Sequence, residues 1–193
     1  MNKPIIATNI DDLLIKHEAF VEPHKAIWGR LIEKTGNKDL AKWIGKKDYF
    51  IGVNLAMDRI MPNGTREEKT LQVRTWYQEE VIKYIQNNPD CINRHIAERL
   101  KQLKTKYMLI LITTNTQQHI NKILDAAGLT RLYDLIIASE TEKEPDKSEL
   151  IDTLIEERGK PRYYLTGKDD PEIIEKLKKL EIKIITPSEL DSI

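Results

Sequence analysis

Acids, amides and lysines gather at four places in this 193-residue chain. They are Asn9-Ile10-Asp11-Asp12, Thr114-Asn115-Thr116, Lys143-Glu144-Pro145-Asp146-Lys147 and Gly167-Lys168-Asp169-Asp170-Pro171-Glu172. Carboxylates are the residue type for general acid–base work and for holding hard divalent cations. Lysines and hydroxyls are the types that hold anions. The histidines His17, His24, His95 and His119 show no metal-ligand spacing, and only His17 falls close behind one of the four groups. The single cysteine, Cys91, has no partner for an intramolecular disulfide.

Each polar group lies just beyond a short apolar run, and those runs are the elements that must position it. Residues 4–8, 107–113, 135–138, 163–166 and 182–186 read as short, continuous apolar strands, the pattern of parallel strands covered on both faces. Helical patterns separate them, so from residue 107 onward strand and helix alternate. That alternation predicts a doubly wound α/β sheet. Ligands of such sheets sit beyond the carboxyl ends of the strands, where the four polar groups fall.

Between the first and second strands lie nearly a hundred residues with helical patterns and no convincing strand. Pro23 is expected at a helix start and Gly36 at its stop. The Asn63-Gly64 turn precedes Thr65-Arg66-Glu67-Glu68, a capping-box pattern that opens a long helix with Val73, Trp76, Tyr77, Val81, Tyr84 and Ile85 on one face. Asn88-Pro89 ends it, and Asp90 is expected to cap the next helix. The predicted organisation is an α/β core from residues 1–17 and 88–193, interrupted by a helical cap at 18–87. Trp28, Trp43, Tyr49, Phe50, Trp76 and Tyr77 could line a pocket facing the strand ends or fill the cap's own core. The apolar stretch from Tyr49 to Asn54 suits a substrate lid or a dimer contact.

Charge narrows the function classes. Lys and Arg total 31 against 31 Asp and Glu. Phosphate-backbone binding calls for a basic excess, so no nucleic-acid partner is expected. No window approaches the roughly 20 apolar residues of a membrane span, which argues against a membrane partner. With its lone cysteine, the chain is expected to be cytoplasmic.

The order and spacing of the four groups resemble the haloacid dehalogenase-like (HAD) superfamily. Most members are magnesium-dependent phosphohydrolases with a Rossmann-like core and an aspartate nucleophile. Their pattern is DxDx[TV]L after the first strand and Thr or Ser, often followed by Asn, after the second. A Lys-Pro ahead of a helix follows, then Gly-Asp with another acid nearby. The resemblance covers the whole chain. The run from Gly128-Leu129 through Tyr133-Asp134 to Ser139-Glu140 is similar to the family's link between its second and third motifs, and a helical insertion behind the first motif is a familiar cap.

The resemblance implies roles position by position. Asn9 stands where the nucleophilic aspartate would be, and an amide has no carboxylate oxygen to attack phosphorus. Asp11 matches the acid–base aspartate. Thr114 and Asn115 match the residues that hold the phosphoryl group, and Lys143 is the nearest lysine to the third motif, with Glu144 directly before Pro145. Lys168 replaces the metal-binding aspartate, as a charge that could stand in for the metal and pair with Asp11. Asp11, Asp169, Asp170 and Glu172 are the remaining candidate metal ligands, Glu172 having the best spacing. Replacing two acids by an amide and an ammonium disfavours magnesium, and no other cofactor is expected.

Removing a hydrolase nucleophile costs on the order of 10⁶ in rate, about 8 kcal/mol. The expectation is therefore a catalytically impaired pseudoenzyme with a binding or regulatory role at the former phosphate site, for a small anionic ligand or a protein partner. The alternative is an active phosphohydrolase that acts on a small phosphorylated metabolite through Asp11 and neighbouring acids. A structural or assembly role is the third class. Nothing in the sequence fixes an oligomeric state.

Overall fold

The computed structural model describes residues 3–46, 48–139 and 146–193. Five parallel strands form one sheet in the order β3-β2-β1-β4-β5. They are β1 (Ile5–Thr8), β2 (Met108–Thr116), β3 (Leu135–Ser139), β4 (Tyr163–Leu165) and β5 (Lys183–Ile185). β1 is central, with Ala7 level with Ile110 of β2 on one side and with Tyr164 of β4 on the other. All five apolar runs thus become strands, and helices cover both faces as expected of an α/β Rossmann-like sheet.

Strand residues alternate between the two faces. Ile6, Leu109, Leu111 and Leu165 join a core completed by α4 (Arg94–Leu103) and α5 (Gln117–Ala126). Ile5, Ala7, Ile110, Ile112 and Tyr164 face the other way, onto α6 (Lys147–Arg158) and α7 (Pro171–Lys179). The chain leaves β1 toward the first face and β4 toward the second. Two neighbouring strands whose connections diverge open a crevice at their carboxyl ends, and this crevice holds the polar groups after β1 and β4.

Among the described residues, three α-helices and two short 3₁₀ segments lie between β1 and α4: the α-helices are α1 (Glu18–Thr35), α2 (Tyr49–Ile60) and α3 (Arg66–Asn87). They carry a core of their own around Trp28, Leu31, Met57 and Trp76. α3 belongs to both layers, since its later residues Val81 and Ile85 pack into the sheet's core. Its start is the expected capping box: the Thr65 hydroxyl accepts from the Glu68 N–H at 3.2 Å while the Glu68 carboxylate accepts from the Thr65 N–H at 2.7 Å. Gly36 ends α1 in the left-handed region, at φ 65°.

Two helix starts differ from expectation. α1 begins at Glu18, five residues before Pro23, which sits buried inside the helix. The proline leaves the Ala19 carbonyl without its helical donor, but Pro23 lies within an apolar buried stripe with Ile27 and Leu31, and packing outweighs one hydrogen bond. Asp90 lies in a 3₁₀ turn at Pro89–Cys91, and α4 starts after Asn93 instead. The Asn93 side chain donates to the Leu13 carbonyl at 2.6 Å, so it ties the chain entering α4 to the loop behind β1.

Candidate functional site

The loop behind β1 is tightly wound. The Leu13, Leu14 and Ile15 N–H groups all turn back to the Ile10 carbonyl, and Asp12 adopts φ 56°. The Asn93 N–H to Leu14 and the Lys16 N–H to Cys91 pin its far side. On its near side, Gly167 of the loop behind β4 lies directly against it. A Cβ at Gly167 would fall 1.9 Å from the Asp12 carbonyl oxygen, so only glycine lets the two loops meet.

Asn9, the first residue beyond β1, is 3% exposed. Its Nδ2 donates to the Lys168 carbonyl and, at 3.5 Å, to Asp169 Oδ2. Its Oδ1 is buried without a hydrogen-bond partner among the described residues. The amide at the nucleophile position therefore ties together the loops behind β1 and β4.

Asp169 is the best-held acid of the site. Lys147 Nζ reaches both carboxylate oxygens at 2.8 Å, the Tyr164 hydroxyl donates at 2.7 Å and the Asp170 N–H donates at 3.0 Å. The Asp169 side chain is only 2% exposed. Burial and the adjacent Asp169 charge raise the Tyr164 phenol well above its ordinary range, so it remains a hydrogen-bond donor. Lys147 opens α6, and the sequence patterns give it no role. A lysine at a helix start four residues beyond Lys143 is the available signal. Lys143 itself, with Glu144, lies outside the described residues.

Asp11 is half-buried and meets His17 Nδ1 at 2.9 and 3.0 Å. On its other side His17 Nε2 meets Lys168 Nζ at 3.0 Å. An ammonium can only donate, so Nε2 accepts and Nδ1 carries the ring proton toward Asp11. Lys168 thus reaches Asp11 through His17, where the sequence suggested a direct pair. His17 can stand between them because it directly precedes α1 and folds back over the loop.

The four acids named as candidate metal ligands are not assembled. Asp169 is engaged by Lys147, Asp170 and Glu172 are exposed at the start of α7, and Asp11 is paired with His17. Among the described residues no three His, Cys, Asp or Glu side chains form a group fit for a metal ion. With an amide at Asn9, Lys147 on Asp169 and His17 between Asp11 and Lys168, this donor set does not fit the magnesium that the resemblance implies.

Thr114 and Asn115 occupy the end of β2, where a shift in register against β3 separates Thr113 from Thr116. The backbone and side-chain N–H groups of Asn115 both donate to the Thr113 hydroxyl, at 3.2 and 3.3 Å. Thr114 is exposed, and with Asn115 it borders a cavity of about 850 Å³ shared with the cap. Trp28, Tyr49, Phe50 and Tyr77 line its cap side. Trp43 and Trp76 pack in the cap's own core instead. His24 and His119 also border the cavity, neither having been singled out by spacing.

A central β1 ending in the first polar group, with further groups at the ends of its neighbours β2 and β4 and a helical insertion behind the first, is the arrangement of the haloacid dehalogenase-like fold. The chain has that α/β fold. It matches no family model. It is 27% identical over 126 residues to a phosphoglycolate phosphatase of Aquifex aeolicus, across 64% of this chain. The match spans 54% of the length of that relative. Among solved structures it is similar to a haloacid dehalogenase-like hydrolase from Streptococcus pneumoniae, with TM-score 0.60, 12% identity and coverage of 95% of this chain and 84% of the other. A β-phosphoglucomutase from Clostridium difficile gives TM-score 0.57 and 14% identity, over 96% and 91% of the two chains.

Proposed function

We propose that this protein binds a small anionic ligand at the crevice between β1, β2 and the cap, without carrying it through a phospho-aspartyl intermediate. The observation that carries this reading is the closed ion pair at Asp169. Its carboxylate is satisfied by Lys147, Tyr164 and the Asp170 N–H, and a carboxylate so held is not free to coordinate a cation. Beside it, Asn9 offers an amide where covalent catalysis needs a nucleophilic oxygen. Thr114 and Asn115 remain open toward the cavity as polar contacts for the ligand.

A second reading, an active phosphohydrolase, has one observation in its favour. Asp11 is half-exposed and backed by His17 Nδ1–H, an arrangement that suits a general acid or base. One assay separates the two. With 4-nitrophenyl phosphate and magnesium, no turnover above the protein-free rate is expected, while inorganic phosphate binding by calorimetry is unchanged when EDTA replaces magnesium. Magnesium-dependent turnover that Asp11→Asn abolishes would overturn the binding-only reading.

A further inference from the structure

The cavity that Thr114 and Asn115 share with the cap is walled by aromatic rings. Trp28 is buried against it, and the rings of His24, Tyr49, Phe50 and Tyr77 complete the cap side. Tyr77 commits its hydroxyl to the Phe20 carbonyl at 3.1 Å, so it offers the cavity its ring. His24 stands edge-on to Tyr49, with centroids 4.9 Å apart, and to Trp28 at 6.3 Å. Burial lowers its basicity, so it adds another ring and no cation. Tyr49 and Phe50 keep about two-fifths of their surface in solvent, at 42% and 41%. They begin α2, next to the cavity, where their exposed apolar surface has a use once a ligand is present.

We propose that the ligand of this cleft carries a planar aromatic ring, held among the cap rings, with its anionic group at Thr114 and Asn115. The inference rests on the anion-binding reading above and adds the chemical class of the ligand. About 850 Å³ is room for a small ring system and its substituents. Aromatic walls favour a ring through offset and edge contacts, whereas an aliphatic sugar phosphate presents them with hydroxyls that the rings do not hydrogen-bond. A second observation points the same way. Gln78 borders the same cavity and is 3% exposed, and its Nε2 has no hydrogen-bond partner among the described residues. A ring heteroatom or carbonyl is the acceptor such a buried donor needs.

Calorimetry on the full chain tests this with three probes, phenyl phosphate, glycerol phosphate and inorganic phosphate, in EDTA to prevent turnover. Phenyl phosphate should bind about tenfold more tightly than glycerol phosphate, the worth of one or two aromatic contacts. Phe50→Ala, which removes a partly exposed ring that the fold does not need, should erase several-fold of that advantage and change glycerol phosphate affinity much less. Equal affinities for phenyl and glycerol phosphates would overturn the aromatic class and leave the anion site standing. No binding of any of the three would overturn both.

Discussion

A carboxylate withdrawn from water costs several kcal/mol unless its charge and lone pairs are matched. Asp169 meets that condition only because Lys147 reaches it from α6, 22 residues earlier in the chain. Removing one partner of such a pair strands the other. Lys147→Met should therefore lower stability by about 3 kcal/mol in urea unfolding, and Asp169→Asn added to it should recover much of that loss. Additive costs in the double mutant would show that the pair is not coupled. The site's local members were legible in the sequence: Asn9, Asp11, Thr114 and Lys168 each lie within three residues of the end of a strand-like run. Lys147 was not, because its contact depends on α6 being carried across the sheet to β4, and no spacing within one segment encodes that.

At the scale of elements, four consecutive residues specify the start of α3, and the capping box forms as their types dictate. The apolar runs were equally readable, since a strand buried on both faces needs only continuous apolar residues. The order of the strands was not, because it is set by which helices cover which face. Pro23 and Asp90 misled for a related reason: proline and aspartate favour helix starts, and the packing of α1 and the tie between Asn93 and Leu13 outweigh those preferences. Gly167 shows how two elements become one site. Its missing Cβ lets the loop behind β4 touch the Asp12 carbonyl, and that contact places Lys168 beside His17 and Asp169 beside Asn9. Gly167→Ala must push these loops apart. The expected cost is about 1–3 kcal/mol in denaturant unfolding, with weaker phosphate binding by calorimetry. Wild-type affinity and stability in this variant would show that the loops need not touch.

The whole molecule joins two faces of one sheet and a cap, and a phenol largely withdrawn from water stands in each region. Tyr77 lies on α3 in the cap, Tyr133 bonds the Thr8 hydroxyl at 2.8 Å before β3, and Tyr164 lies within β4. Burial raises the pKa of all three above the ordinary value of 10. Below pH 10 both folded and unfolded chains keep these protons, so the tyrosines impose no pH dependence. Above it the unfolded chain releases them first, and stability falls by about 1.4 kcal/mol per pH unit for each tyrosine. On the acid side His24, its pKa lowered by burial, acts in reverse. The unfolded chain gains its proton first as pH drops below 6.5, and stability declines there also. Urea midpoints should thus form a plateau between about pH 7 and 10 with a steeper alkaline edge. Tyrosinate absorbance from these three phenols should appear only with loss of the fold, because α3 joins the cap's core to the first face and the sheet itself joins that face to the second. Ionisation of every tyrosine near pH 10 with the circular dichroism unchanged would contradict this coupling of the three regions.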